Sequence, residues 1–175
     1  MDLKKYIRSI KDYPKKGILF RDITTLIKDK EAFKEAIDQM SKILLNMNYD
    51  KIAAIESRGF IFASVLSYKL SKSLILMRKK EKLPAERFSV EFELEYGKST
   101  LEIHKDSIKK EEKIVIIDDL IATGGTAEAG AKLVEKAEGK VEAFLFVISL
   151  FDLGGKKLLE GKGYKTFNLI DFPGH

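Results

Sequence analysis

The sequence predicts one α/β domain spanning residues 1–175: an open parallel sheet with helices on both faces, an N-terminal helix and a projecting antiparallel β-hairpin. Three observations carry this. Short, wholly apolar runs, such as residues 114–117, read as strands buried on both faces. Segments of helical period alternate with them along the chain. A length of 175 residues suits a single core of ordinary domain size.

Taken in order, Leu3, Tyr6, Ile7 and Ile10 recur at helical spacing, which predicts a helix over residues 2–11 that stops before Pro14. Residues 18–20, after Gly17, read as a brief strand. Asp29 is placed to cap a longer helix whose apolar face is Phe33, Ala36, Ile37, Met40, Ile43, Leu44 and Met47. A strand (51–55), a helix (59–70) and a strand (74–77) follow. Next, Phe88, Val90, Phe92, Leu94 and Tyr96 alternate with Ser89, Glu91, Glu93 and Glu95, a period of two. Beyond Gly97-Lys98 the alternation resumes with Leu101 and Ile103, which predicts an antiparallel hairpin. The remainder reads as strand (114–117), helix (127–137), strand (141–149), helix (153–160) and strand (166–170). No repeat, low-complexity tract or linker interrupts it.

Composition excludes several classes. With 45% hydrophobic and 34% charged residues the chain is globular, not disordered. No apolar run approaches the roughly 20 residues of a membrane span, and the N-terminus lacks a signal-peptide core. The expectation is a cytoplasmic protein without a membrane partner. The absence of cysteine excludes disulfides and thiolate metal sites, and two histidines, His104 and His175, leave structural zinc unsupported. The net charge of +5 comes from lysines interleaved with acids along the whole chain, a pattern that argues against a nucleic-acid partner. Basic residues divide into 27 Lys and five Arg (Arg8, Arg21, Arg58, Arg78 and Arg87). A chain that defaults to lysine spends arginine where a planar bidentate fork is useful.

The densest chemistry lies in IVIIDDLIATGGT, residues 114–126. A buried strand runs into Asp118 and Asp119, then into the small-residue loop Ala122-Thr123-Gly124-Gly125-Thr126, which opens a helix. Backbone N–H groups, two hydroxyls and a helix N-terminus are the parts of a phosphate cradle. The spacing and lysine of a Walker loop are absent. Taken blandly, these residues are a glycine turn beside a solvated acidic pair. Two acids directly ahead of such a loop fit a sugar phosphate better, the carboxylates accepting from its hydroxyls.

These thirteen residues resemble the phosphoribosyl-pyrophosphate signature of type I phosphoribosyltransferases. GILFRDIT (17–24), ESRGF (56–60), RKKEKLP (78–84), LEYGKSTLEIHKD (94–106) and the ending DFPGH are similar to the adenine-specific branch of that family, in the same order over essentially the whole chain. The resemblance implies the type I phosphoribosyltransferase fold, formation of AMP and pyrophosphate from adenine and 5-phosphoribosyl 1-pyrophosphate, Mg²⁺ as cofactor held mainly by substrate with no direct side-chain ligand, and a homodimer.

Carried over residue by residue, the resemblance implies that Asp118 and Asp119 hold the ribose hydroxyls and that Ala122, Thr123, Gly124, Gly125 and Thr126 cradle the 5′-phosphate. Ser57, Arg58 and Gly59 would form a first pyrophosphate loop with a cis peptide at Glu56–Ser57. Arg78, Lys79 and Lys82 would form a second, part of it reaching across the dimer interface. Phe20 would stack on adenine while backbone groups of Leu19 and Arg21 read its edge, although an aromatic in an apolar run is by itself core-like. Asp22 would orient that segment. Glu95 and Tyr96 would close over the site, with Glu95, Tyr96 and Arg58 as the catalytic set. The family commonly has glycine where Glu81 stands, so an acid sits beside the second loop. Enzymes for 6-oxopurines carry an aspartate at the position of Ala122, and its absence favours adenine. The rival class is a regulatory protein that senses phosphoribosyl pyrophosphate and binds nucleic acid, which only the basic charge favours.

Overall fold

The computed structural model describes residues 1–94 and 97–175. The chain opens with a 3-10 turn, Leu3–Tyr6, and a two-stranded antiparallel ribbon of β1 (Arg8–Lys11) and β2 (Leu19–Asp22). The expected helix over 2–11 is therefore corrected. Leu3 and Ile7 are buried as the spacing required, but the turn alone satisfies that spacing. A ten-residue helix is marginal. Pairing from Arg8↔Asp22 to Lys11↔Leu19 satisfies the backbone instead, and Asp12 reverses the chain at φ +56°.

Helices α1 (Thr24–Lys28) and α2 (Lys30–Leu45) follow, and the Asp29 carboxylate caps α2 by accepting from the N–H groups of Glu31 and Ala32 at 3.1 and 2.9 Å. Then come β3 (Lys51–Ile55), α3 (Gly59–Leu70), β4 (Ser73–Lys79), β5 (Arg87–Leu94), β6 (Gly97–His104), β7 (Lys113–Ile121), α4 (Gly125–Lys136), β8 (Lys140–Leu150), a 3-10 turn, α5 (Gly155–Gly161) and β9 (Thr166–Phe172). The main sheet has the order β5-β6-β4-β3-β7-β8-β9. Strands β4, β3, β7, β8 and β9 are parallel, as the apolar runs predicted. The hairpin does not stand free. Its β6 pairs antiparallel with the end of β4 through Arg78↔Glu102 and Lys79↔Leu101, so the hairpin extends one edge of a mixed sheet.

The central strands divide their apolar residues by the period of two. Ile52, Ala54, Val115, Ile117, Leu145 and Val147 face α2 and α3. Ala53, Ile55, Ile114, Ile116, Phe144 and Phe146 face α4, α5 and the hairpin. Helix α3 returns the chain from β3 to β4, while α4 carries it from β7 to β8 on the opposite side and opposite face. The gap between the carboxyl ends of β3 and β7 is thus a topological switch point, where open α/β sheets bind ligands. The Glu56–Ser57 peptide there is cis, as the resemblance implied.

Candidate active site

A cleft of about 400 Å³ opens at this switch point. Of the residues singled out in the sequence, Ser57, Arg58, Lys79, Asp118, Asp119, Ala122, Thr123, Gly124, Gly125 and Thr126 all line it. Phe92 and Leu94 of the hairpin form the facing wall. Gly59, the first residue of α3, sits just behind that lining. A Cβ there would meet the Ile117 carbonyl at 2.9 Å and Asp118 Oδ1 at 3.0 Å, so only glycine lets α3 start this close to β7. Glu95 and Tyr96 lie outside the described residues.

The acidic pair is electrostatically unequal. Asp119 is buried, at 5% exposure, and its Oδ2 accepts from Arg58 Nε at 2.5 Å. Asp118 accepts from the Asp119 N–H at 2.8 Å. Burial, and then the adjacent Asp119 charge, push the Asp118 carboxyl well above the ordinary carboxylate range. Arg58 precedes α3, where a cation opposes the helix dipole, and the two acids keep it charged against its desolvation. Its side chain remains about half exposed, with donors left to meet an anion.

The Ala122–Thr126 loop is tied to a residue far along the chain. Gly124 is left-handed, at φ +90°, and α4 begins directly after it, aiming its first N–H groups into the cleft. Gly155, at the start of α5, donates its N–H to the Ala122 carbonyl at 2.9 Å. A Cβ on Gly155 would stand 2.3 Å from that oxygen and 2.7 Å from Gly124 N. Sequence reasoning passed over Gly155; its one signal was the Gly154-Gly155 pair ahead of the last helix.

The Glu56 side chain ties the loop after β3 to the end of β4: its Oε2 accepts from the Lys79 N–H at 2.9 Å and from Arg78 Nε at 3.2 Å. Burial alone would raise this carboxyl, but these two donors bring it below its ordinary range. Arg78, whose second contact is the Lys82 carbonyl at 3.4 Å, is not among the residues that line the cleft. Lys82 is exposed and outside the cleft lining.

Leu19, Phe20 and Arg21 lie on β2 and do not line this cleft. Phe20 is partly buried, edge-on to Tyr13 with ring centroids 5.1 Å apart. The Arg21 side chain runs away from the site: it stacks 4.4 Å over Phe172 and donates to Ser9 Oγ and, at 2.9 Å, to the Pro173 carbonyl. Its buried Nε has no hydrogen-bond partner, and burial lowers its pKa against the pull of Asp152. Asp22 does orient the ribbon. It accepts from the Thr24 N–H at 2.9 Å, from Thr24 Oγ1 at 2.7 Å and from Arg8 Nε at 3.1 Å. The charge of Asp22 also adds to what keeps the Arg58 guanidinium protonated. Among the described residues no group of three or more His, Asp or Glu could enclose a metal ion.

The acidic pair, the small-residue loop and the cationic loop meet in one cleft at the switch point, and residues 24–173 match the family described as the phosphoribosyl transferase domain. The chain belongs to that family. It is 67% identical to the adenine phosphoribosyltransferase of Pelagibacter ubique (strain HTCC1062) over the full length of both chains. The crystal structure of adenine phosphoribosyltransferase from Thermoanaerobacter pseudethanolicus is similar with a TM-score of 0.93, at 48% identity and 98% coverage of each chain. The Saccharomyces cerevisiae enzyme, complexed with D-2,5-dideoxy-2,5-imino-altritol 1,6-bisphosphate and adenine, matches with a TM-score of 0.89 at 34% identity over 97% of each chain. Within its family the chain groups with the adenine phosphoribosyltransferases.

Proposed function

We infer that this chain is an adenine phosphoribosyltransferase of purine salvage, acting in the cytoplasm: it transfers the 5-phosphoribosyl group of 5-phosphoribosyl 1-pyrophosphate to adenine, giving AMP and pyrophosphate. The observation that carries this reading is the cleft polarity: the Asp118–Asp119 pair and the Ala122–Thr126 cradle on one wall, with the cations of Arg58 and Lys79 at the same opening. A ribose 5-phosphate fits the first wall, its hydroxyls donating to the carboxylates. The diphosphate then falls toward Arg58 and Lys79, which stabilise the negative charge growing on it as the C1′–O bond breaks.

Adenine N9 attacks C1′ from the opposite face, and its ring proton must leave as the C1′–N9 bond forms. We assign that proton to Glu95, with Tyr96 closing the site against water, because an oxocarbenium-like ribosyl centre open to solvent would be hydrolysed. Phe20, Leu19 and Arg21 of β2 are assigned to the base. In this reading the ribose hydroxyls engage Asp118 and Asp119, so substrate oxygens and water would supply the shell of Mg²⁺. When bound, the ion offsets diphosphate charge. A homodimer is inferred as well: α3 leaves Ile61, Val65 and Tyr68 exposed along one stripe, apolar area of the kind a second copy covers.

The test is chromatographic detection of AMP formed from adenine and phosphoribosyl pyrophosphate, with hypoxanthine in parallel. Adenine is expected to be preferred in kcat/KM by about 10⁴-fold, because a site built for an amine leaves buried groups unpaired with the wrong base. Equal turnover of the two bases would overturn the assignment. The sensing and nucleic-acid-binding alternative has nothing in its favour beyond the +5 charge.

A further inference from the structure

We propose that Glu102 is a positioning residue that holds the turn after β4, which carries Lys79, in register with the hairpin that walls the cleft. Glu102 lies on β6 with neighbours on both sides, Ser89 on β5 and Arg78 on β4. It is 3% exposed, and a carboxylate so buried is costly unless donors surround it. They do, from two separate segments. Ser89 Oγ donates to Oε1 at 2.8 Å, while the Glu81 N–H and Arg87 Nε reach Oε2 at 3.0 and 3.2 Å.

Inside the turn between β4 and β5 the backbone makes a single hydrogen bond among the described residues, from the Lys82 N–H to the Lys79 carbonyl at 3.3 Å, and side chains add the other ties. Arg87 also donates to the Leu83 carbonyl at 3.3 Å, and His104, next along the same face of β6, accepts from the Ala85 N–H at 3.3 Å. Glu81 most needs support. It is left-handed at φ +64°, a conformation a glycine would adopt freely and a glutamate resists. Glu102 binds the N–H of that residue. The β4–β6 ladder that attaches the hairpin is only two residue pairs long, and Glu102 is in one of them. The same carboxylate therefore supports the left-handed turn beside Lys79 and the root of the wall formed by Phe92 and Leu94.

This inference rests on the reading of Lys79 as a diphosphate contact. In Glu102→Gln one acceptor oxygen becomes a donor amide, which cannot serve both partner sets. The turn then populates its binding-competent conformation less, and apparent affinity falls by that fraction. The KM for phosphoribosyl pyrophosphate is expected to rise about tenfold, with kcat and the adenine KM within about threefold. Hydrogen exchange at the Glu81 amide should accelerate. Adding Glu81→Gly should recover at least half of the lost affinity on a logarithmic scale, since glycine needs no help to be left-handed.

If Glu102→Gln does not fold, Arg87→Gln loosens the same tie from its other side and is expected to raise the same KM. An unchanged KM, or equal losses in kcat and both KM values without rescue by Glu81→Gly, overturns the proposal. Lys79→Ala separates the two claims. If it leaves the KM unchanged while Glu102→Gln raises it and Glu81→Gly rescues it, the Lys79 reading fails and the role of Glu102 stands.

Discussion

Gly155→Ala is the sharpest probe of how the Ala122–Thr126 loop is held. The new methyl would lie 2.3 Å from the Ala122 carbonyl oxygen, 2.7 Å from Gly124 N and 2.9 Å from Ile121 Cγ1, where ordinary contact starts near 3.4 Å. Two of the three obstacles are backbone, so neither can rotate away as a side chain would. The carbonyl must therefore retreat by about 1 Å, and the Ala122–Thr126 loop moves with it. Overpacking of this kind costs about 1–3 kcal/mol, which lowers Tm by about 2–4 °C per kcal/mol in a chain of this size. The functional loss should be larger in proportion, because a misplacement of about 1 Å costs roughly 10²-fold in rate. Steady-state kinetics should show kcat/KM for phosphoribosyl pyrophosphate falling by that factor, alongside a modest thermal shift. Gly161→Ala, at the far end of α5, is the control: nothing lies within 4 Å of its Cβ position, and it should be neutral. Gly155→Ala with kinetics within twofold of the parent, or Gly161→Ala with an equal loss, would refute the reasoning.

Three further outcomes follow from the charged groups. The raised Asp118 pKa means that the folded state keeps its proton to higher pH than the unfolded chain, so its contribution to stability is full below about pH 4 and is lost as pH rises through the folded value. Asp118→Asn should thus raise Tm at pH 8 but not near pH 4, while weakening phosphoribosyl pyrophosphate binding by about 1–3 kcal/mol; a pH-independent Tm difference contradicts this. Asp22 has the opposite sign. The Thr24 hydroxyl and Arg8 hold its carboxyl down to about 2, so its stabilisation is present above about pH 4 and disappears as pH falls through 2. Asp22→Asn should cost about 1–2 kcal/mol in denaturant titrations at pH 7, trimmed because Arg8 is over half exposed, with the difference closing in acid. Glu95→Gln should slow single-turnover AMP formation by about 10²–10⁴, whereas Glu91→Gln and Glu93→Gln should change it little.

What the sequence made legible is what sits in one contiguous stretch. The runs at 51–55, 114–117 and 141–149 announce buried strands because no helix of a small domain needs such continuous apolarity over so few residues. The Asp118–Thr126 segment carries an acidic pair, a glycine turn and a helix start within nine positions, so one wall of the cleft is visible without coordinates. Leu3 and Ile7 misled because burial of two residues four apart is met equally by a helix and by a 3-10 turn entering a strand. The choice depended on β2, whose partnership no local pattern records.

The alignment of one loop with another was illegible for the same reason. Glu56 meets Lys79 across 23 residues, Glu102 meets Glu81 across 21, and Gly155 closes on Ala122 from the far end of β8. Each is an ordinary residue type in an ordinary place until the chain folds. Glu81 joins the two kinds of information. As sequence it is an acid misplaced beside two lysines. In the fold its carboxylate is on the exposed surface, and what the chain must supply there is support for a left-handed backbone, which the buried Glu102 provides from a neighbouring strand. Binding residues can therefore be read from their own chemistry, whereas the residues that aim them are identified only by the distant backbone they hold.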